Sequence, residues 1–489
     1  MGDRVDRSTL TVGHPGEVRR RLEESVAALA AMIDGGCFVG HQDTAGMEVE
    51  LDLVDPLGRP RLVNDAVLER LGRPDLQHEL GRFNIELNLP PQRLAAGGLG
   101  ALEHQLAALL GTGAVEALGV RLAAIGTLPT LGAEQLTRDR LSSPTRYALL
   151  AQRMRAERHR PVMVRIAGRE SLAFTTDSIA PEAAATSLQL HLRVPPERFA
   201  AYYNAAQAVT GAQLAASANS PYLLGRELWR ETRVALCEQV LDTRPRGGVR
   251  AGAPARAWLG DRWVRGPVEL FDDIVRSMPP LLPTLTAEDP LAAVATGRTP
   301  RLQELRLHNG TVWRWNRPVY DTGDGHPHLR IENRVLPSGP TALDMTANAA
   351  FYFGLVRTLA EADRPLWTTT PFALVNRDLH AAARLGLAAA LHWDGADHAA
   401  APLILDILLP LAADGLDSWG VAAAYRDRYL SVIAQRVRSG QTGASWQTAT
   451  VRRLEDHAGL DRPAALRETT RRYVEHARTG APVHDWPAP

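Results

Sequence analysis

The chain has 489 residues with an ordinary apolar content of 45%, and its 55 acidic residues balance its 55 basic residues. A formal net charge of zero provides no overall attraction to nucleic acid or to an anionic membrane surface. Every basic residue is an arginine, and the absence of lysine excludes a P-loop lysine, a Schiff-base lysine and a lysine general base. Any bound phosphate would have to be held by arginine, by metal ions or by backbone amides.

The cysteines and the apolar stretches indicate where the protein works. Cys37 and Cys237 lie far apart and lack metal-binding spacing, so neither a disulfide framework nor a structural zinc site is expected. The N-terminal residues lack the apolar core of a signal peptide. No uninterrupted apolar stretch reaches the roughly 18 residues of a membrane span. We therefore expect a cytoplasmic protein that makes no contact with a membrane.

Hydrophobic periodicity predicts mixed α and β structure along the first half of the chain. Helical spacing covers 16–33, strand alternation covers 46–55, and helical spacing returns over 101–120. Strands are predicted at 161–167 and 187–194, and the segment after them is predicted to be a helix opened by proline.

The second half combines loops with helices. Two stretches rich in proline, glycine or arginine, 241–257 and 278–290, predict a long loop region over 241–300. Whether that region is a lid or a docking surface is left open. From about residue 342 the periodicity is mostly helical. The periodicity therefore predicts mixed α and β structure followed by a mainly helical C-terminal region.

Four predicted strands carry polar side chains on one face and apolar side chains on the other. The strands lie at 46–55, 83–92, 187–194 and 328–335, and their polar faces include Glu48, Glu50, Glu86, His191, Glu332 and Arg334. Each strand alone is typical of a sheet with one face in water. Together their residues are Glu, His and Arg rather than the Lys, Thr and Ser mixture of ordinary exposed faces. If the strands share one sheet, these side chains converge on one surface.

Carboxylates gathered on one surface need a cation among them. Without one they would repel each other, and their pKa values would rise. Oxygen ligands with a single imidazole suit Mg²⁺ or Mn²⁺ better than zinc or copper. Such sites often serve phosphoryl transfer, in which metal ions bridge phosphate oxygens and arginine neutralises charge.

A series of motifs gives the chain a resemblance to a known family. In order, they read "GMEVELDLVD", "FNIELNLPP", "GTLPTL", "SLQLHLRV", "SANSPYLLGRELWRETR", "RIENRVLPSGPTALD" and "NRDLHAAARLG". The chain resembles the glutamate-cysteine ligase type 2 family, which contains carboxylate-amine ligases. The resemblance implies an α+β fold related to glutamine synthetase, in which a curved, mainly antiparallel sheet forms a half-barrel funnel with helices outside. On this basis we expect a catalytic half-barrel over 1–345 and a mainly helical region over 346–489 that packs on it and completes the same catalytic unit. The resemblance further implies ATP, two or three Mg²⁺ ions (or Mn²⁺), and an acyl-phosphate intermediate.

The resemblance also implies roles for individual residues. One metal ion would be held by Glu50, Glu79 and Glu86. Another would be held by Glu48, His191 and Glu332. Arg334 would be the arginine that follows the late-strand glutamate, and it would act with Glu332 in catalysis and contact the nucleotide.

Six further polar residues are predicted to bind nucleotide or substrate, namely Asn219, Ser220, Arg226, Arg233, Asn376 and Arg377. For Asn219 and Ser220 the alternative is a structural turn. Arg226 and Arg233 are seven residues apart on a predicted helix, so they should share one face and bind an anion or form salt bridges. Asn376 and Arg377 open a predicted helix in a region where the family contacts substrate or nucleotide.

The sequence therefore predicts an ATP-dependent carbon-nitrogen ligase. It would activate the γ-carboxyl of glutamate, or of a similar acid, for attack by an amine such as cysteine or another amino acid. Its partners would be small-molecule acids and amines, with no nucleic acid and no membrane. The alternatives are a ligase or phosphotransferase acting on a peptide or another small acid, and a catalytically silent regulatory or binding protein with the same fold. The identity of the substrates and the formation of a homo-oligomer are left open.

Overall fold

The computed structural model describes residues 11–38, 43–143, 145–245, 252–323 and 326–488. These residues form an α+β fold in which a curled antiparallel sheet makes a half-barrel and helices cover its outer side, as predicted. Within the described residues, no helix is both long enough and apolar enough to span a lipid bilayer.

The strands are short except for those of the central sheet. In chain order they are β1 Thr11–Val12, β2 Thr44–Val54, β3 Leu76–His78, β4 Asn84–Arg93, β5 Arg121–Ala123, β6 Val162–Ala167, β7 Ser171–Thr176, β8 Ser187–Arg193, β9 Tyr222–Leu223, β10 Arg226–Glu227, β11 Ala257–Trp258, β12 Thr284–Leu285, β13 Trp313–Arg314, β14 Asn316–Asp321, β15 His328–Pro337, β16 Ala390–Trp393 and β17 Ala396–Ala399.

The helices dominate the second half of the chain. They are α1 Pro15–Asp34, α2 Asn64–Leu71, α3 Gly98–Leu110, α4 Thr145–Arg158, α5 Phe199–Ala208, α6 Thr210–Ser217, α7 Thr232–Val240, α8 Pro267–Ser277, α9 Pro290–Ala295, α10 Gln303–Asn309, α11 Ala342–Ala360, α12 Phe372–Leu385, α13 Ala400–Pro402, α14 Leu409–Ser418, α15 Ala423–Ser439, α16 Gly443–Asp456 and α17 Arg462–Arg478. A π-helical segment, Leu403–Leu408, joins α13 to α14.

The central sheet has seven strands in the order β14-β15-β8-β2-β4-β3, with β5 also paired to β2. All of these pairings are antiparallel. The four strands with alternating faces, β2, β4, β8 and β15, are therefore consecutive neighbours, which confirms that they share one sheet. Their common polar face follows from the two-residue period of a strand.

The apolar face of the sheet is covered by helices. Val49, Leu51 and Leu53 of β2 are completely buried. Helix α3 contacts β4, α6 contacts β15, and α11 contacts β8. Helix α11 begins where the Thr341 side chain accepts a hydrogen bond from the Asp344 amide. The outer helices thus cover the apolar face of the sheet and leave its polar face free to form the site.

The region beyond α11 packs on the sheet as well as on itself. Helix α11 contacts α14 and α15, and α17 contacts β5 of the central sheet. The mostly helical prediction is correct, although the hairpin β16–β17 interrupts the helices. The predicted boundary between residues 345 and 346 falls inside α11.

The prediction of a long loop over 241–300 is wrong for its described part, and residues 246–251 lie outside the described residues. Strand β11 pairs with β13, and helices α8 and α9 follow. Helix α8 starts at Pro267, and Glu269 accepts a hydrogen bond from the Gly266 amide. The helix buries Leu270 and Phe271. Pro267 lies in the first turn of the helix, where proline is favoured, so this proline marks the start of a helix and not a loop.

Candidate active site

Strand register brings the predicted residues together on the concave face of the sheet. Glu50 of β2 lies opposite Glu86 of β4. His191 of β8 lies opposite Glu332 of β15. Glu48 and Glu50 share a face because they are two residues apart. The polar face therefore carries two groups of acidic ligands rather than a single row.

The first group, the Glu50 cluster, consists of Glu50, Glu79 and Glu86, each with a ligand oxygen within 4.8 Å of the others. Glu50 accepts hydrogen bonds from the Ser187 amide at 2.7 Å and from Gln189 Nε2 at 2.9 Å. Burial and the neighbouring Glu86 raise the pKa of Glu50 to about 8. The same two causes raise the pKa of Glu79 well above its ordinary value.

The second group, the His191 cluster, consists of Glu48, His191 and Glu332, also with ligand atoms within 4.8 Å. His191 Nε2 lies 3.1 Å from Glu48 Oε1. Arg330 Nε donates to His191 Nδ1 at 3.2 Å, which leaves the proton of a neutral ring on Nε2. A cation bound at Nε2 would displace that proton, as metal binding to histidine does.

Two arginines surround Glu332. Arg317 makes a bidentate ion pair with it, with Nε at 2.7 Å and Nη2 at 2.8 Å. Arg334 Nη1 also donates to Glu332, and to Gln189 Oε1. Burial would raise the pKa of Glu332, but the two guanidinium groups outweigh it and hold the pKa below its ordinary range. The result is an anion with two cations at the wall of a cavity.

That cavity has a volume of about 340 Å³. Its charged lining includes Glu48, Glu79, Glu182, His191, Arg306, Arg317, Asp321, Arg330, Glu332 and Arg334. Its apolar lining includes Leu80, Leu150, Ile179, Phe271, Leu282, Leu305, Leu307, Trp313 and Val319. Phe271 and Leu282 come from the segment that was predicted to be a loop. A charged wall beside an apolar wall is typical of a site that binds small molecules.

The residues of the Glu50 cluster fit a hard divalent cation. No donor within the described part of the chain reaches Glu79 Oε2, which is buried beside Glu86. Either a proton shared between the two carboxylates or a cation would satisfy this oxygen. Because all the ligands are carboxylates, Mg²⁺ or Mn²⁺ suits the cluster better than a softer metal.

Sequence reasoning assigned no role to five charged residues of the cavity lining, Glu182, Arg306, Arg317, Asp321 and Arg330. Arg330 lies two residues before Glu332, so strand alternation placed it on the polar face, but its hydrogen bond to His191 was not predicted. Arg317 is in β14, whose proline and mixed pattern gave no signal of a buried arginine opposite Glu332. Glu182 is in a short 3-10 turn, Ala180–Ala184, where no periodicity can be read.

Asn219 and Ser220 do not line the cavity. Asn219 is buried and donates to the Ser338 carbonyl at 2.7 Å and to Tyr473 Oη at 2.8 Å. Ser220 Oγ donates to Glu231. Arg233 is buried, and its Nε pairs with Glu231 at 2.7 Å. These three side chains hold neighbouring segments together, and nucleotide binding by them stays a prediction.

The expectation that Arg226 and Arg233 share a helix face is wrong. Arg226 is in β10 and is exposed, whereas Arg233 is in α7. The intervening residues turn between them, so helical spacing does not apply. Asn376 donates to the Gly260 carbonyl at 2.9 Å, and Arg377 pairs with Asp397 at 2.7 Å, both outside the cavity lining. Their predicted contacts with nucleotide or substrate also stay predictions.

Comparison with known proteins identifies the family. Residues 44–476 match the model of glutamate-cysteine ligase family 2 (GCS2). A search of curated proteins found no match. Among solved structures, the chain is similar to a glutamate-cysteine ligase from Francisella tularensis in complex with AMP, with 12% identity, 90% of each chain covered and a TM-score of 0.56.

A second similar structure is a bifunctional glutathione synthetase from Pasteurella multocida, with 10% identity and a TM-score of 0.52. That match covers 93% of this chain and 55% of the other. At these identities the structural likeness shows the fold, whereas the family model covers most of the chain. The chain therefore belongs to glutamate-cysteine ligase family 2, and it is an ATP-dependent carboxylate-amine ligase.

Proposed function

We propose that the enzyme activates the γ-carboxyl of glutamate, or of a similar acid, with the γ-phosphoryl group of ATP and joins it to an amine such as cysteine or another amino acid. The observation that carries this proposal is one cavity lined by members of both clusters, Glu79 of the first and Glu48, His191 and Glu332 of the second, together with Arg317 and Arg334. Glu50 and Glu86 lie behind this lining. Phosphoryl transfer requires dense positive charge, and only arginine and metal ions can supply it at side-chain positions in a chain without lysine.

Divalent cations would be held by the two clusters, Glu50 with Glu79 and Glu86, and Glu48 with His191 and Glu332. When bound, Mg²⁺ or Mn²⁺ neutralises phosphate oxygens and aligns the attacking and leaving groups.

The arginines act directly on the transferring group in this proposal. An oxygen of the substrate carboxylate attacks the γ-phosphorus, the bond to the bridging oxygen breaks, and ADP leaves. The charge on the phosphoryl oxygens is stabilised by Arg334, whose guanidinium is oriented by Glu332 and Gln189. Arg317 holds Glu332 in place from the other side.

The second half of the reaction forms the amide. The neutral amine attacks the acyl carbon of the acyl phosphate, the carbon–oxygen bond to phosphate breaks, and the proton that the nitrogen loses leaves with the phosphate. The apolar lining from Phe271, Leu282 and Trp313 keeps water away from this reactive species. Water exclusion matters here because hydrolysis of the acyl phosphate would waste ATP.

The test is a screen of amino acids and amines with ATP and Mg²⁺, read by phosphate release and by mass spectrometry of the products. We expect a product with the mass of an amide, formed only when both acid and amine are present, and no turnover in EDTA. Full turnover in metal-free buffer would contradict the assignment of the clusters. Phosphate release that is independent of any amine would favour the phosphotransferase alternative.

Glu332→Gln provides the matching variant for this screen. It replaces one anionic ligand with a neutral oxygen, so it should lose most activity and keep the fold. Glu197→Gln, at an exposed carboxylate outside the cavity lining, should retain full activity. Equal activity of the two variants would assign the turnover to a contaminating ATPase or to another site.

A further inference from the structure

A second cavity lies beside the active-site cavity. Its volume is about 200 Å³, and its lining includes Trp258, Asp261, Arg262, Asp273 and Arg314. None of these five residues lines the active-site cavity. The volume is below the range of roughly 300–1,000 Å³ that is typical of sites for drug-sized ligands, so the second cavity suits a smaller molecule.

The two cavities share a wall made of strand β13 and helix α8. Trp313 lines the active-site cavity, and the next residue of β13, Arg314, lines the second cavity. Consecutive residues of a strand point to opposite sides. On α8, Phe271 lines the active-site cavity and Asp273 lines the second cavity, because two residues are separated by roughly 200° around a helix. A displacement of this wall would therefore reach both cavities.

Arg314 is a buried cation without a close anion. Its side chain is 5% exposed, and its one ion pair within the described residues joins Nη2 to Asp273 at 3.7 Å, which is longer than a hydrogen bond. The same carboxylate is held more closely by Arg262, at 3.0 Å. Arg314 Nε is buried, and no acceptor in the described residues reaches it. Because a buried charge is costly unless it is paired and hydrogen-bonded, Arg314 needs a further acceptor.

Trp258 carries a second donor that lacks an acceptor. Trp258 of β11 lies opposite Arg314 of β13, and the centroid of its ring is 4.3 Å from the guanidinium carbon. This cation–π contact holds the guanidinium in place. The ring Nε1 is buried and has no hydrogen-bond partner in the part of the chain that the structure describes. Two donors without acceptors, on paired residues at one cavity, indicate a ligand that carries oxygen acceptors.

The charges of the second cavity restrict the chemistry of that ligand. Asp261 and Asp273 would repel a phosphate dianion more strongly than a carboxylate, which carries a single negative charge. Asp261 is exposed at the cavity and forms no ion pair with any described residue, so it can accept hydrogen bonds from an ammonium group. A carboxylate for the two donors and an ammonium group for Asp261 are together the charges of a free amino acid.

The shared wall connects such a ligand to the active site. An anion that draws Arg314 toward the second cavity also moves β13, and Trp313 moves with it. A ligand that binds one arrangement of the wall better than another changes the affinity of the other site by a coupling free energy. We propose that the second cavity binds a small zwitterionic amino acid, distinct from the substrates in the active site, and that its occupancy changes substrate affinity through β13.

The experiment uses three molecules that differ only in their charged groups. L-alanine has a carboxylate and an ammonium group, propionate lacks the ammonium group, and ethylamine lacks the carboxylate. Calorimetry without ATP gives the Kd of each for the wild type, for Trp258→Phe, which keeps an aromatic ring and removes the N–H donor, and for Asp261→Asn. The control is Asp272→Asn, which removes a carboxylate of α8 that pairs with Arg276 at 2.6 Å outside both cavities. Unfolding midpoints show that each variant is folded.

We expect Trp258→Phe to weaken alanine binding by about ten- to a hundredfold, the scale of a lost hydrogen bond to a charged group. Asp261→Asn should weaken it by about two- to fivefold, because this carboxylate is exposed. Propionate should bind the wild type more weakly than alanine, and ethylamine should not bind. Alanine at about three times its Kd should change the KM for ATP by at least about twofold in the wild type and in Asp272→Asn, and by less in Trp258→Phe.

Equal alanine affinity of the wild type and Trp258→Phe would overturn the inference, as would the absence of alanine binding to the wild type at millimolar concentration. Glu332→Gln separates the two cavities, because it alters the active site alone and should keep alanine binding. Alanine binding that is lost in Glu332→Gln and kept in Trp258→Phe would place the amino acid in the active site. Alanine binding with an unchanged KM for ATP would overturn the coupling through β13. All of these outcomes leave the proposed function intact.

Discussion

At the scale of single residues, Glu332 shows how much of the site the sequence could predict. Strand alternation placed Glu332 and Arg334 on one face, and the structure confirms that placement. The same rule cannot reveal Arg317, because the partner of a residue across a sheet depends on strand register. Glu332 is therefore held by one arginine that was predicted and by one that was not.

Arg334 carries the first residue-scale prediction. Arg334→Ala should lower kcat by on the order of a hundredfold or more, the scale of losing a charged phosphoryl stabiliser, with a much smaller change in the KM for ATP. Arg334→Lys should restore only part of the rate, because an ammonium lacks the planar fork of guanidinium. Steady-state kinetics with saturating acid and amine measure both values.

The control for that series is Arg198→Ala, which removes a surface ion pair with Glu361. It should leave kcat unchanged. If Arg334→Ala keeps the wild-type kcat and has only a lower unfolding midpoint, Arg334 is a structural partner of Glu332 and not a catalytic residue.

At the scale of elements, long alternating strands were predictable and short irregular ones were not. The predicted strands at 46–55, 187–194 and 328–335 match β2, β8 and β15 to within a few residues. Strand β11 has two residues, too few for any period to be detected. Helix α8, which carries Phe271 of the apolar cavity lining, was missed for a different reason, because it lies between the two stretches whose composition predicted a loop.

The buried carboxyl groups of strands β2 and β4 should make the stability of the protein depend on pH. The pKa of Glu50 is about 8 in the fold, against an ordinary value of 4.5. Its stabilising contribution is complete below pH 4.5 and is lost as the pH rises toward 8. The free energy of unfolding of the metal-free protein should therefore fall over this range, by at most about 1.4 kcal/mol per pH unit for each such proton.

Bound Mg²⁺ needs the ionised carboxylates, so it should raise the unfolding midpoint more at pH 8 than at pH 6. Differential scanning calorimetry at both pH values, with Mg²⁺ and with EDTA, measures the difference. Glu50→Gln serves as the control and should flatten both trends. Equal midpoint shifts at the two pH values would count against a cation in the Glu50 cluster.

At the scale of the whole molecule, Asn219 joins the sheet to the C-terminal helices. Its amide donates to the Ser338 carbonyl beyond β15 and to Tyr473 of α17, and it accepts from Gln447 of α16 at 2.9 Å. Tyr473 Oη also donates to the Ala124 carbonyl at 2.8 Å. A methyl group at Gly443 would overlap the Asn219 side chain, so glycine allows this close packing.

Replacing Asn219 can show whether its role is structural or whether it binds the nucleotide. Asn219→Ala should lower the free energy of unfolding by about 2–3 kcal/mol, because it leaves several buried polar groups without partners. The KM for ATP should stay within about twofold. Denaturant unfolding and ATP titrations measure the two effects. Gln447→Ala, which removes the two hydrogen bonds from Gln447 to Asn219, should lower the free energy of unfolding by less. A raised KM for ATP without lost stability would support the predicted role of Asn219 at the nucleotide.

The strand order affects how the enzyme folds while it is being translated. The edge of strand β2 that pairs with β8 stays unpaired until β8 has been made, and the other edge of β8 stays unpaired until β15 has been made. At about 5–20 residues per second of translation, β2 is made roughly 7 to 30 s before β8. During that interval it exposes an unpaired edge, the state in which nascent chains aggregate. Because Glu332 and Arg334 are in β15, the ligase acquires its complete site only after that last strand of the sheet has been made, and chaperones that shield the early strands should raise its yield in cells.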